Sequence, residues 1–108
     1  MTIPSARVAE VPEDALLLDV REPDEWAAGR IDGAVHIPMS GLMQRVDEVP
    51  KDRDVVVVCK TGARSAQVTA FLLQRGWSTV RNLDGGIVAW VQAGRPLVTG
   101  DGNPGSVL

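Results

Sequence analysis

Four consecutive valines, Val55 to Val58, run directly into Cys59. An unbroken β-branched run suits a strand buried on both faces, as in the middle of a parallel sheet. The residues that follow, Lys60-Thr61-Gly62-Ala63-Arg64-Ser65, form a short loop with one glycine and two cations. A helix-like segment from about Ser65 to Arg75 comes next. A strand, a tight loop and a helix N-terminus converge backbone N–H groups on one point, which favours an anion or a thiolate. Cys59 lies where the strand ends, so its sulfur is expected to look into that nest.

The rest of the chain reads as strands alternating with helices. Residues 6–11 alternate weakly and suit a short edge strand. Ala15 to Val20 is a buried strand that ends on Asp19 and is followed by Arg21. Pro23 suits the first turn of a short helix through Ala28, with Glu22, Asp24 and Glu25 near its positive end and Gly29 as its stop. Ile31 to Pro38 holds another short strand. Ser40 can cap a helix whose apolar residues Leu42, Met43, Val46 and Val49 recur at helical spacing. After the Cys59 loop, Ala66, Thr69, Ala70, Leu72 and Leu73 share one helical arc, and Phe71 falls among polar neighbours as an edge-packed or exposed ring. Ser78 to Leu83 is a last strand. Asp84-Gly85-Gly86 is a turn that opens a helix over Ile87 to Ala93, closed by Gly94 and Pro96. The pattern predicts an α/β fold, a parallel sheet with helices on both faces. Ligands bind such sheets at the carboxyl ends of the strands, where Asp19 and Cys59 both lie.

Composition narrows the chemistry. The 108 residues suffice for one domain and are too few for two. A net charge of −3 gives no basic footprint for nucleic acid and no patch for an acidic membrane surface. No apolar run spans a bilayer, and Met1-Thr2-Ile3-Pro4-Ser5 lacks the features of a secretory signal, so the expected location is the cytoplasm. With a single cysteine there is no internal disulfide, and with a single histidine there are too few ligands for a structural zinc. The glycines form neither a Walker loop nor a dinucleotide fingerprint. His36, in Ala34-Val35-His36-Ile37-Pro38, is the only imidazole that could serve as a base, and its place in a short strand points to a structural or surface role.

Cys59 has two readings. A lone cysteine after an apolar strand can be a small buried hydrophobe. The two cations, the glycine and the helix start point instead to a thiol whose ionisation is favoured by the amides of residues 60–65 and by Lys60 and Arg64. Such a thiolate is a nucleophile without a neighbouring histidine. Asp19 and Arg21 can form an ion pair that pins a loop, or a surface pair worth little.

Three separated stretches resemble those of single-domain rhodaneses, the sulfurtransferase family, over roughly Ile3 to Val98. They are Leu18-Asp19-Val20-Arg21-Glu22-Pro23-Asp24-Glu25-Trp26 running into Gly29-Arg30-Ile31-Asp32-Gly33-Ala34-Val35-His36-Ile37-Pro38; Cys59-x-x-Gly62-x-Arg64-Ser65; and Asn82-Leu83-Asp84-Gly85-Gly86-Ile87-x-x-Trp90 with Gly94-Arg95-Pro96-Leu97. The resemblance implies a rhodanese-like α/β fold with a central parallel sheet of about five strands flanked by helices. One domain is expected over residues 1–98, and residues 99–108, Gly-rich and polar, are expected as a flexible tail. The resemblance implies thiosulfate sulfurtransferase activity, in which Cys59 takes a sulfane sulfur from a small anionic donor as a persulfide and passes it to a thiophile such as cyanide, with no metal or organic cofactor. The substrate-binding residues it implies are Lys60, Thr61, Gly62, Ala63, Arg64 and Ser65, with Asp19 and Arg21 in support. A protein sulfur donor or acceptor is a possible partner; nucleic acid and membrane are not. Two positions depart from the pattern: Arg30 replaces a common histidine, and Lys60 replaces a frequent arginine, giving up a planar fork for an oxyanion. The main alternative is a sulfur carrier or binding module without turnover. A phosphatase ranks third, because phosphatase loops of this type place five residues between Cys and Arg and this loop places four.

Overall fold

The valine run does form the middle of a sheet. The computed structural model describes residues 3–108; Met1 and Thr2, the start of the segment read above for a secretory signal, lie outside the described residues. The strands are β1 (Ser5–Ala6), β2 (Leu16–Asp19), β3 (Val35–His36), β4 (Val55–Val58) and β5 (Val80–Leu83). All pairings are parallel, in the spatial order β1-β5-β4-β2-β3, so the sheet has five strands with β4 at its centre. The helices are α1 (Pro23–Ala28), α2 (Leu42–Arg45), α3 (Ala63–Gln74) and α4 (Gly86–Gln92).

Alternation along β4 divides the core into two layers. Val55, Val57 and Cys59 point to one, with Leu18, Val68 and Leu72; Val56 and Val58 point to the other, with Leu83, Ile87 and Trp90. Cys59 thus continues the side-chain phase of the strand onto the α3 face. The register pairs Asp19 with Val58 and Val57 with Asn82, so β2, β4 and β5 end at a common level. Trp77 and Trp90 are buried, and Trp26 is half-buried.

Several boundaries differ from the sequence pattern, each for a local reason. The edge strand is confined to Ser5–Ala6, because the Glu10 carboxylate accepts the Arg7 N–H (2.8 Å) and winds Val8–Glu10 into a 3-10 turn. The segment after Pro38 is a 3-10 turn over Met39–Gly41, the single turn of α2, and a second 3-10 turn over Val46–Glu48. Ser40 lies inside the first of these and caps nothing, and Met43 leaves the apolar arc to stand 67% exposed. Helix α3 begins two residues before the expected Ser65, and its buried stripe is Ser65, Val68, Thr69 and Leu72. Phe71 packs at the edge of the core with the Arg75 guanidinium over its ring.

The residues from Thr99 onward, expected as a flexible tail, are placed against the domain by bonds that no local pattern announces. Gly105 N–H donates to Leu97 O and Ser106 N–H donates to Ala28 O, while Val98, just before the segment, exchanges backbone hydrogen bonds with Arg30 (2.9 and 2.8 Å). Val107 packs on the second core layer. Gly29 permits this contact, since a Cβ there would lie 2.4 Å from Ser106 O.

The end of β2 is tied to α1 by a buried ion pair. Asp19 and Arg21 side chains are each 1% exposed, with Arg21 Nη2 2.8 Å from Asp19 Oδ2. The same guanidinium donates to the carbonyls of Glu25 (3.2 Å) and Gly29 (2.7 Å), at the negative end of a helix too short to hold itself. Of the two readings of Asp19 and Arg21, the buried pair is the one found, and the segment it pins is α1. Replacing Arg21 by Met strands a buried carboxylate and is expected to cost on the order of 3–5 kcal/mol in urea unfolding. The double replacement Asp19→Leu/Arg21→Met is expected to recover only part of that loss, because the Arg21 N–H and the carbonyls of Glu25 and Gly29 still lose their partners.

Candidate functional site

The loop after β4 is shaped by two glycines. Gly62 caps α3 in the left-handed region (φ 105°), where a side chain would be strained. Gly86 (φ 60°) belongs to the Asp84-Gly85-Gly86 turn after β5, and a Cβ there would lie 2.4 Å from the Cys59 carbonyl oxygen. That close approach lets Ile87 N–H donate to Cys59 O (2.9 Å) and Val88 N–H donate to Lys60 O (3.1 Å). With these carbonyls taken by α4, the loop's amides are left for the sulfur.

Cys59 is 1% exposed, and its Sγ accepts the Gly62 N–H at 3.1 Å and the Ser65 hydroxyl at 3.2 Å. Burial pushes the thiol up, but hydrogen bonds from the Ser65 hydroxyl and from the amides of Ser65, Gly62 and Thr61 outweigh it, so the thiol is held below its ordinary range. These donors, rather than the two cations, are the main groups favouring the thiolate. The N–H groups of the first turn of α3 have no carbonyl partner within the helix and remain for an anion beside the sulfur.

The cations are placed differently from each other. Lys60 is exposed, as are Thr61 and Ala63. Arg64 turns toward α1 and forms a two-pronged pair with Glu25, Nη1 to Oε1 at 2.7 Å and Nη2 to Oε2 at 2.9 Å. Glu25 Oε1 also accepts the Glu22 N–H (3.0 Å), closing the start of α1. The hydrogen bonds from Arg64 hold the Glu25 carboxyl down to about 2, against the opposing effect of burial. The same bonds raise Arg64, and the charge of Cys59 adds to that rise.

Of the residues singled out from the sequence, Cys59, Gly62 and Ser65 meet directly. Lys60, Thr61 and Ala63 occupy the exposed part of the loop, Arg64 is engaged by Glu25, and Asp19 and Arg21 hold α1 from behind. His36 is half-buried, with Nε2 2.8 Å from Arg21 O and its ring stacked on Trp26 at a 4.5 Å centroid distance. Two partners are not legible in the sequence. From sequence Glu25 has only a favourable position near a helix N-terminus. Asn82, buried at the end of β5, donates from Nδ2 to Gly62 O (3.2 Å) and accepts the Ser65 hydroxyl at Oδ1. An asparagine within the short strand Val80–Leu83, a residue type that strands disfavour, is the available signal.

The rhodanese-like domain family matches residues 6–93, and the chain belongs to that family. It is 49% identical over 98 residues to a sulfurtransferase of Allochromatium vinosum, covering 91% of both chains. It is 33% identical over 100 residues to the thiosulfate sulfurtransferase GlpE of Pseudomonas entomophila, covering 93% of this chain and 91% of that one. Among solved structures it is similar to a rhodanese-related protein of Thermoplasma volcanium, with a TM-score of 0.82 and 35% identity over 88% of this chain and 97% of that one.

The Arg64–Glu25 pair makes a pH prediction. Glu25 has a lowered pKa in the folded chain, so its stabilisation is complete above the ordinary value of 4.5 and is lost as pH falls from there to about 2. Allowing for solvent around Arg64, whose side chain is 35% exposed, the pair contributes about 1 kcal/mol, or about 4–8 °C in Tm. The Tm gap between wild type and Glu25→Gln is expected to be flat from pH 5.5 to 8 and to close between pH 4.5 and 2.

Proposed function

We propose that the protein is a rhodanese-type sulfurtransferase that carries a sulfane sulfur on Cys59. The observation that carries this reading is the sulfur itself, set at the end of β4 with a backbone amide and a hydroxyl donating to it. In the first half-reaction the Cys59 thiolate attacks the outer sulfur of thiosulfate. The new S–S bond forms as the sulfur–sulfur bond of the donor breaks, and its electron pair leaves with sulfite. The product is a Cys59 persulfide with its negative charge on the terminal sulfur. In the second half-reaction cyanide attacks that terminal sulfur, thiocyanate leaves, and the Cys59 thiolate is restored.

The chain's residues have separate tasks in this scheme. Ser65 and Gly62 stabilise the attacking thiolate, and the amides of residues 60–65 hold the terminal sulfur once the charge has moved there. Lys60, exposed on the loop, draws the anionic donor as a point charge. Arg64, steadied by Glu25, adds positive potential. Four residues between Cys59 and Arg64 make a smaller cradle than a phosphatase loop with five, and it suits a sulfur atom better than a phosphoryl group. Thiosulfate is the donor proposed because of the likeness to GlpE; a protein persulfide could deliver sulfur to the same atom. A carrier of reactive sulfur on a lone cysteine suits a reducing cytoplasm.

Intact-mass measurement after thiosulfate treatment tests the reading. Wild type is expected to gain one sulfur, lose it to cyanide with release of thiocyanate, and gain none as Cys59→Ser. No adduct on wild type with thiosulfate or with an organic persulfide would overturn it.

A further inference from the structure

The Ser65 hydroxyl has one proton and two acceptors. Cys59 Sγ lies 3.2 Å from Ser65 Oγ, and Asn82 Oδ1 is within hydrogen-bond reach on another side. Ser65 is fully buried and Asn82 is 9% exposed, so water does not readily replace either partner. The Asn82 amide cannot simply turn over, because its Nδ2 donates to Gly62 O (3.2 Å) and so keeps Oδ1 toward Ser65. A hydroxyl donates one hydrogen bond at a time, so every moment spent on Asn82 is taken from the sulfur.

We propose that Asn82 is a positioning residue that acts through Ser65, holding the hydroxyl proton when Cys59 Sγ is uncharged and releasing it to Sγ when the thiolate forms. This rests on the reading of Cys59 as the sulfur-carrying nucleophile. In the thiol, Cys59 S–H donates to Ser65 Oγ and Ser65 donates to Asn82. In the thiolate, Ser65 rotates its proton to Sγ. In the persulfide the charge has moved to the terminal sulfur, Sγ is a poor acceptor, and the proton returns to Asn82. The hydroxyl therefore turns to Sγ only while Sγ carries the charge, and its proton has an acceptor at every stage.

The arrangement predicts opposite effects from its two members. Ser65→Ala removes a donor to the thiolate and is expected to raise the Cys59 pKa by about one unit, the size of one charge-assisted hydrogen bond. Asn82→Ala removes the competing acceptor, leaves Sγ as the hydroxyl's only target, and is expected to lower the pKa by roughly half a unit. The charged groups at this end of the sheet are unchanged in both variants: Lys60 and Arg64 on the loop and α3, Glu22 and Glu25 at the start of α1, the Asp19–Arg21 pair at the end of β2, and Asp84 after β5.

The test is the pH dependence of alkylation of Cys59 by iodoacetamide, measured on wild type, Ser65→Ala, Ser65→Thr, Asn82→Ala and the double variant Ser65→Ala/Asn82→Ala. Opposite shifts for the two alanine variants, a return toward wild type in Ser65→Thr, and no further effect of Asn82→Ala once Ser65 is gone would support the relay. Shifts in the same direction, or an Asn82→Ala effect that persists without Ser65, would assign Asn82 to holding Gly62 and overturn it. Alkylation needs no sulfur donor. Opposite shifts in a protein that takes up no sulfur would support the relay and overturn only the transfer reaction.

Discussion

Hydrogen bonds from Ile87 and Val88 to the carbonyls of Cys59 and Lys60 determine which way the loop after β4 faces. A loop of this length has as many acceptors as donors, and left to itself it offers an approaching anion both. By taking the two carbonyls, the start of α4 leaves a surface of N–H groups beside the sulfur. The contact exists because Gly86 has no Cβ, so the backbones of two segments far apart in sequence come close enough to bond. The environment of the Cys59 sulfur is in this sense a property of the packing of β5 and α4 against β4.

Around that centre, charge is organised by pairing. Arg21 with Asp19 and Arg64 with Glu25 both converge on α1, the first beneath its C-terminal carbonyls and the second across its first turn. A six-residue helix is not stable alone, and these two pairs hold it against the sheet and the loop. The buried pair is a strong constraint because a lone partner would be a buried charge. The outer pair is partly solvated and worth less in stability, but it fixes where the guanidinium of the loop stands.

Much of this was readable from residue types. The β-branched run, the strand-ending cysteine, Gly62 and the Asp84-Gly85-Gly86 turn marked the sheet, the nest and the last helix. The failures have physical causes. The stretch from Met39 to Glu48 carries helical spacing but no capping side chain, and it breaks into single turns. Residues 99–108 have the composition of a free end, yet their backbone donates to the carbonyls of Leu97 and Ala28, groups whose availability no window of sequence reveals. Asn82 has no role legible from its own stretch, because its partners, Ser65 and Gly62, come from another segment.

The sequence by itself determined the fold class and the place of Cys59 at the strand end, because hydrophobic period, glycine and a strand-ending cysteine act over a few neighbouring residues. Tertiary structure alone decided what the Cys59 sulfur feels. Which hydroxyl reaches Sγ, which acceptor competes for the Ser65 proton and which carboxylate holds Arg64 all depend on side chains 6 to 39 residues apart in the chain. Electrostatic and hydrogen-bond energies fall off over a few ångströms, and only the folded register brings those groups that close.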